Sequence, residues 1–209
     1  MNILSIDIDY IISEKDFVEV SALFCKALSS NPDIEIKFSQ YHADIIDLIK
    51  EVNEEMLILN IDMHHDIIYD EVCDTAEIRN GMYDSTNWLC WVAAFKKIKK
   101  YIWCKNSLSD PFDAELSSSF NQMFEKDRAY DVVDSRNVLF SSKLALTQKI
   151  DEIYLKYKPK IEIENKIQNY FHEIPYDKVF VCLSPDYTKD DKYFCYDVLQ
   201  NIYLSFKKS

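Results

Sequence analysis

Two stretches decide the architecture: Asn2-Ile-Leu-Ser-Ile-Asp-Ile-Asp9 and Met56-Leu-Ile-Leu-Asn-Ile-Asp-Met-His-His-Asp66. Each begins as a short run rich in Ile and Leu and ends in acids. Runs that are apolar throughout, rather than alternating, predict strands covered on both faces, as in a parallel sheet. In such sheets ligands gather at the carboxyl ends of the strands, which is where these acids and histidines fall.

Working outward, Ser13 to Ser30 predicts a helix with Phe17, Val18, Ala22, Leu23 and Leu28 as its apolar positions, and Asn31-Pro32-Asp33 ends it. A strand is expected at Ile34–Phe38 and a helix at His42–Val52, with Ile45, Ile46, Leu48 and Ile49 inward. After Met56–Ile61 come a polar loop (about 70–85), a helix at Asn87–Lys97 and a strand at Lys100–Cys104. Residues 105–136, rich in Ser, Asp and Asn, suggest a helix near Phe112–Phe124. Val138–Ser142 and Val179–Leu183 read as further strands, Leu144–Tyr157 and Asp191–Phe206 as helices. Strands alternating with helices predict a three-layer α/β/α domain with a mainly parallel sheet. No linker-like composition interrupts the 209 residues, so one domain, 1–209, is expected.

Several function classes are excluded. The net charge of −12 opposes a nucleic-acid partner, whose phosphates require a basic face. A single glycine, Gly81, cannot build a phosphate loop or a dinucleotide fingerprint. No apolar run approaches the ~20 residues of a membrane span, and acids appear by Asp7, unlike a secretory signal, so a soluble cytoplasmic protein is expected. Six scattered cysteines without a Cys-x-x-Cys pair predict reduced core thiols rather than zinc ribbons or disulfides.

In an extended segment Asp62, His64 and Asp66 share one side, as do Asp7 and Asp9. Five potential ligands at two strand exits create like-charge repulsion that cations relieve. The preponderance of carboxylates favours a hard ion such as manganese, while the imidazoles leave zinc, iron and cobalt as alternatives. Two ions ~3.5–4 Å apart would activate one water, which points to hydrolysis.

Asp62-Met-His-His-Asp66 resembles the Asp-Ala-His-x-Asp motif of the arginase and deacetylase (ureohydrolase) superfamily, and Ser5-Ile-Asp-Ile-Asp9 resembles its Ser-x-Asp-x-Asp motif. Their order is reversed relative to ordinary arginases, which implies a small member that is either permuted or divergent. The resemblance implies a further ligand, supplied by His42 in Tyr41-His42-Ala43-Asp44. Asn87-Trp-Leu-Cys-Trp-Val, Tyr101-Ile-Trp-Cys104 and Ser184-Pro-Asp-Tyr-Thr188 resemble a small arginase-like group that includes peptide arginases, which convert arginine in ribosomally made peptides to ornithine.

By this resemblance Asp7 and Asp62 bridge two Mn2+ ions, His42 and Asp66 complete one site, and Asp9 and His64 the other. The expected substrate is an arginine-containing precursor peptide, and the product urea. His65 or His172 would protonate the leaving amine, Asp186 (alternatively Asp44) would pair with the guanidinium, and Trp88, Trp91 and Tyr187 would line the pocket. A deacetylase-like amidohydrolase using Tyr187, and a metal-stabilised binding protein without catalysis, are the rival expectations.

Overall fold

A computed structural model describes residues 1–66, 82–96, 98–109, 131–134, 139–141, 160–164, 166–170 and 174–208. Its strands are β1 (Asn2–Asp7), β2 (Glu35–Ser39), β3 (Met56–Ile61), β4 (Ile98–Cys104), β5 (Asp131–Asp134), β6 (Leu139–Ser141), β7 (Lys160–Glu164) and β8 (Lys178–Cys182). The α-helices are α1 (Glu14–Ser30), α2 (Ile45–Ile49), α3 (Trp88–Phe95) and α4 (Tyr193–Phe206). The strands form one sheet in the order β2-β8-β1-β3-β4-β7-β5-β6, parallel except where β6 pairs antiparallel with β5.

Helix α1 starts where Ser13 accepts from the Asp16 backbone N–H and Asp16 returns the bond to Ser13, a capping box that satisfies two of the first turn's donors. Val20, Leu23, Phe24, Ala27 and Leu28 then recur at helical spacing and are buried. They pack on Leu4, Ile6, Leu59 and Ile61 of one sheet face, together with Cys195 and Leu199 of α4. The opposite face buries Ile3, Met56, Ile58, Tyr101, Trp103 and Phe180 under Ile45, Ile46 and Ile49 of α2 and Trp88, Leu89 and Val92 of α3. Truncating one such large side chain, for instance Phe24→Ala, costs about 3–5 kcal/mol through lost transfer energy and the cavity left. The molecule is thus an α/β protein with a mainly parallel sheet and helices on both faces.

The crossovers create the functional crevice. From β1 the chain crosses under α1 to β2 on one side of the sheet, whereas β3 leads through α3, on the other face, to β4 on the other side. The exits of β1 and β3 therefore part from each other at a topological switch point, leaving an open crevice between adjacent strand ends.

Some expectations need correction. The helix expected at 42–52 is a 3-10 turn, His42–Asp44, followed by the five-residue α2, the tighter first turn carrying His42 inward until it is buried. β5 and β7 were not anticipated: Lys-Ile-Glu-Ile-Glu alternates charged and apolar residues instead of forming an apolar run, and β5 lies in the polar 105–136 stretch. Of the described cysteines, Cys104, Cys182 and Cys195 are buried free thiols as expected, but Cys25 is exposed. No helix among the described residues is long and apolar enough to cross a membrane. The helices expected near 112–124 and 144–157, and His172, lie outside the described residues.

Candidate metal centre

Strand register builds the site's floor. Ile6 stands opposite Ile61, and Asp7 opposite Cys182, which in turn faces Ser39 on β2. Asp62, the residue after Ile61, therefore leaves β3 beside Asp7. Alternation along the strands puts Ser5, Asp7, Asn60, Asp62 and Cys182 on the α2/α3 face, level with Ile3, Ile58 and Phe180.

Beyond the strands that alternation ends. Asp7 accepts from the Asp9 N–H at 3.2 Å as the chain enters a 3-10 turn, Ile8–Tyr10, and Asp66 takes a left-handed backbone with φ 53°. The ligands accordingly sort by space and not by residue parity, and two groups result: Asp7, His42 and Asp62; and Asp9, Asp62 and His64. Asp66 joins the first, its Oδ2 lying 2.9 Å from His42 Nδ1. Asp62 belongs to both, and Asp7, which accepts from the Asp9 N–H, adjoins the second group from the first.

The first group shows why a cation fits. Asp7 Oδ2 and Asp62 Oδ2 each lie 3.1 Å from the same His42 nitrogen that Asp66 approaches. One ring nitrogen carries at most one proton and can satisfy one of these three oxygens. Its other nitrogen, Nε2, lies 2.8 Å from Ser5 Oγ; an Nε2–H donated there leaves Nδ1 a lone pair for a metal. The ring is held between Phe180, stacked at 5.6 Å between centroids, and Trp88 at 5.1 Å. In the second group the buried Asp9 Oδ2 has no hydrogen-bond partner of good geometry, and His64 Nδ1 lies 2.7 Å from it. An orphaned buried oxygen beside a lone-pair donor is a second fit for a cation.

Electrostatics point the same way. Burial first, then Asp66 and Asp7, push the Asp62 carboxyl up to about 8. Burial followed by Asp7 and Asp62 raises Asp9 as well. Burial opposes charge on His42, but Asp66 and the hydrogen-bonding carboxylates outweigh it and hold the imidazole well above its ordinary value. His64 is likewise raised, against burial, to about 9 by Asp9. Without metal, protons take the place of positive charge among these groups.

A supporting shell fixes the ligands. Trp88 donates its indole N–H to Asp66 Oδ2 at 2.6 Å, and Ser184 its hydroxyl to Asp7 Oδ2 at 2.5 Å. Asn60 donates to Asp62 Oδ2 at 3.1 Å, and Trp103 to the Asp62 carbonyl at 3.0 Å. Tyr101 donates to the His65 carbonyl at 2.9 Å. Above them opens a pocket of about 270 Å³ lined by Asp7, His42, His64, Asp66, Ser85, Thr86, Ser184 and Tyr187.

The structure brings Asp7, Asp9, His42, Asp62, His64 and Asp66 together and brings Tyr187 to the mouth, its ring 4.7 Å from that of His64. Other expected residues stand elsewhere. His65 is buried outside the pocket lining, edge-on to Trp103 at 5.5 Å, because its backbone carbonyl is drawn down to Tyr101. Asp186 is exposed in the turn after β8, and Asp44 accepts from Ser39, both outside the lining. Trp88 is wholly buried and supports Asp66 from beneath, while Trp91 packs on Tyr83. The sequence reading gave no role to Ser184, Ser85, Thr86 or Asn60. Asn60 carried a usable signal, being an amide inside an apolar strand at the same parity as Asp62. No protein-family model, curated protein or solved structure matches the chain.

Proposed function

We propose that this protein is a binuclear metal-dependent hydrolase, a manganese-dependent ureohydrolase converting arginine side chains of a ribosomally made precursor peptide to ornithine and urea. The observation that carries this reading is Asp62, a carboxylate shared by two ligand groups of otherwise separate residues. Asp7, His42, Asp62 and Asp66 would hold one ion and Asp9, Asp62 and His64 the other. Two divalent ions in such a centre lower the pKa of a water they share, so that hydrolysis proceeds near neutral pH.

The chain's own residues account for the rest. The described lining contains carboxylates, imidazoles, hydroxyls and a phenol, a composition that suits a cationic head group. The choice of an arginine within a peptide rests on the motif resemblance alone. With Asp186 and Asp44 outside the lining, the guanidinium is received by the Ser85 and Thr86 hydroxyls and the face of Tyr187. His65 is too deeply placed to deliver a proton to the departing amine.

Tyr187 at the mouth also favours the rival amidohydrolase reading, in which its phenol polarises an acyl oxygen. The test is to load the purified protein with manganese and measure urea from arginine-containing peptides and from free arginine. Two ions per chain, urea from peptides, and loss of both ions in Asp62→Ala are expected. Absence of urea from every substrate, with metal content unchanged in Asp62→Ala, overturns the proposal. One ion per chain with acetate release from acetylated peptides favours the rival.

A further inference from the structure

Ser184 lies outside both acidic motifs, yet three features converge on it. It is buried at the floor of the pocket, and its hydroxyl donates to Asp7 Oδ2, the oxygen that also approaches His42 Nδ1 at 3.1 Å. The Cys182 thiol lies on its other side, with Sγ 3.2 Å from Oγ, so the hydroxyl is held from behind while it points at the carboxylate. Its backbone is left-handed, φ 46°, and among the described non-glycine residues only Asp66, in the same ligand group, shares that conformation. A left-handed serine costs stability that glycine would avoid, and is retained where the surroundings require the side chain.

The backbone has a task of its own. Ser184 N–H extends the β2–β8 ladder to the Gln40 carbonyl, and the Ser184 carbonyl accepts from Tyr187 at 3.0 Å and Thr188 at 2.8 Å. The left-handed step thus folds the exit of β8 back over the pocket and delivers Tyr187 to its mouth. Hydroxyl and backbone are separable by substitution.

We infer that Ser184 is a positioning residue for the metal group at His42: its hydroxyl orients Asp7, so that occupancy of this group, and not of the group at His64, depends on it. This rests on the binuclear reading above. Ser184 takes up one lone pair of Asp7 Oδ2, while Oδ1 is held by the Asp9 N–H, and the carboxylate is left with a single rotamer facing His42. Outer-shell hydrogen bonds of this kind change metal affinity by about 10–100-fold.

The test titrates manganese into the metal-free wild type, Ser184→Ala and Ser184→Gly, following free Mn2+ by its electron paramagnetic resonance signal and stoichiometry by elemental analysis. Wild type takes up two ions. In both variants one ion binds with wild-type affinity, the other about 10-fold or more weaker, and the spin-coupled signal of a filled pair is lost at limiting metal. Thermal melts separate the second role: Ser184→Gly melts higher than Ser184→Ala because the left-handed position suits it, while the loss of metal affinity is the same in both. Affinity retained in Ser184→Gly alone overturns the inference in favour of a purely backbone role, and equal weakening of both ions overturns its assignment to the His42 group. Two ions bound with wild-type affinity by both variants overturn it while leaving the binuclear reading intact. A wild type that binds no manganese overturns both.

Discussion

His42 and His64 approach the same shared carboxylate, Asp62, under opposite conditions. His42 is 2% exposed at its side chain, clamped between Phe180 and Trp88, backed by Ser5, and surrounded by three carboxylates. His64 is 23% exposed, meets the exposed ring of Tyr187, and has Asp9 as its near partner. The difference teaches that the two ligand groups of the proposed centre are unequal in their mechanics. One group is part of the core, and its ligands are inseparable from stability; the other faces the pocket, where geometry can adjust to substrate.

The sharpest way to break this comparison is to delete each ring in turn. His42→Ala leaves three buried carboxylates without their counter-charge, a loss of about 3–5 kcal/mol, or a Tm lower by on the order of 10 °C in the metal-free protein. His64→Ala, with its partly solvated ring, lowers Tm by no more than about a third of that while removing the outer ion. Equal shifts in thermal melts would abolish the distinction between core and pocket groups.

An intermediate effect comes from pH. Raised groups hold protons in the folded chain that the unfolded chain has released. For His64 the resulting stability is complete below its ordinary 6.5 and lost as pH rises through about 9. Asp62, pushed up to about 8, acts in the same sense: the fold loses stability as pH rises from the ordinary carboxylate range toward that value. Metal-free protein should therefore melt lower at pH 9 than at pH 6, by on the order of 5 °C, whereas manganese affinity rises over the same interval because the ligands must lose their protons. Calorimetry with and without manganese checks both slopes; a metal-free Tm that climbs with pH contradicts the assignment.

The smallest expected effect is at Trp88→Phe, which preserves the packing on His42 but removes the N–H to Asp66. Inner-ion affinity should fall by about 10-fold or less, with Tm changed by a few degrees at most. A loss as large as that of His42→Ala would show that Asp66, and not His42, anchors the group.

Much of this was legible in the residues. β1, β3, β4 and β8 announced themselves because strands covered on both faces must be apolar throughout, and α1 because Ser13 and Asp16 cap a regular apolar spacing. Both acidic motifs were visible for the same reason, as charges terminating apolar runs. What stayed hidden depended on pairing. β7 alternates charge with isoleucine and gains its place only by lying between β4 and β5. Asp62, His64 and Asp66 do converge, but strand parity is not what brings them together, since the strand ends at Ile61 and a left-handed residue redirects the chain at Asp66. The Ser184 hydroxyl met Asp7 through the register of β8 against β1, a relation that no local pattern contains.

The position of β8 has a consequence for how the centre comes into being. Among the described residues β2, which leads into His42, touches the sheet only through β8, and β8 also forms one flank of β1. During synthesis the residues of both acidic motifs emerge long before the strand that seats the inner histidine beside them. Pairings so distant along the chain close slowly, since loop entropy is paid before any contact returns it. The nascent protein therefore carries these side chains in an unassembled state until β8 inserts, and acquisition of the proposed ions would be a late event, coupled to closure of the sheet and not to the appearance of the motifs.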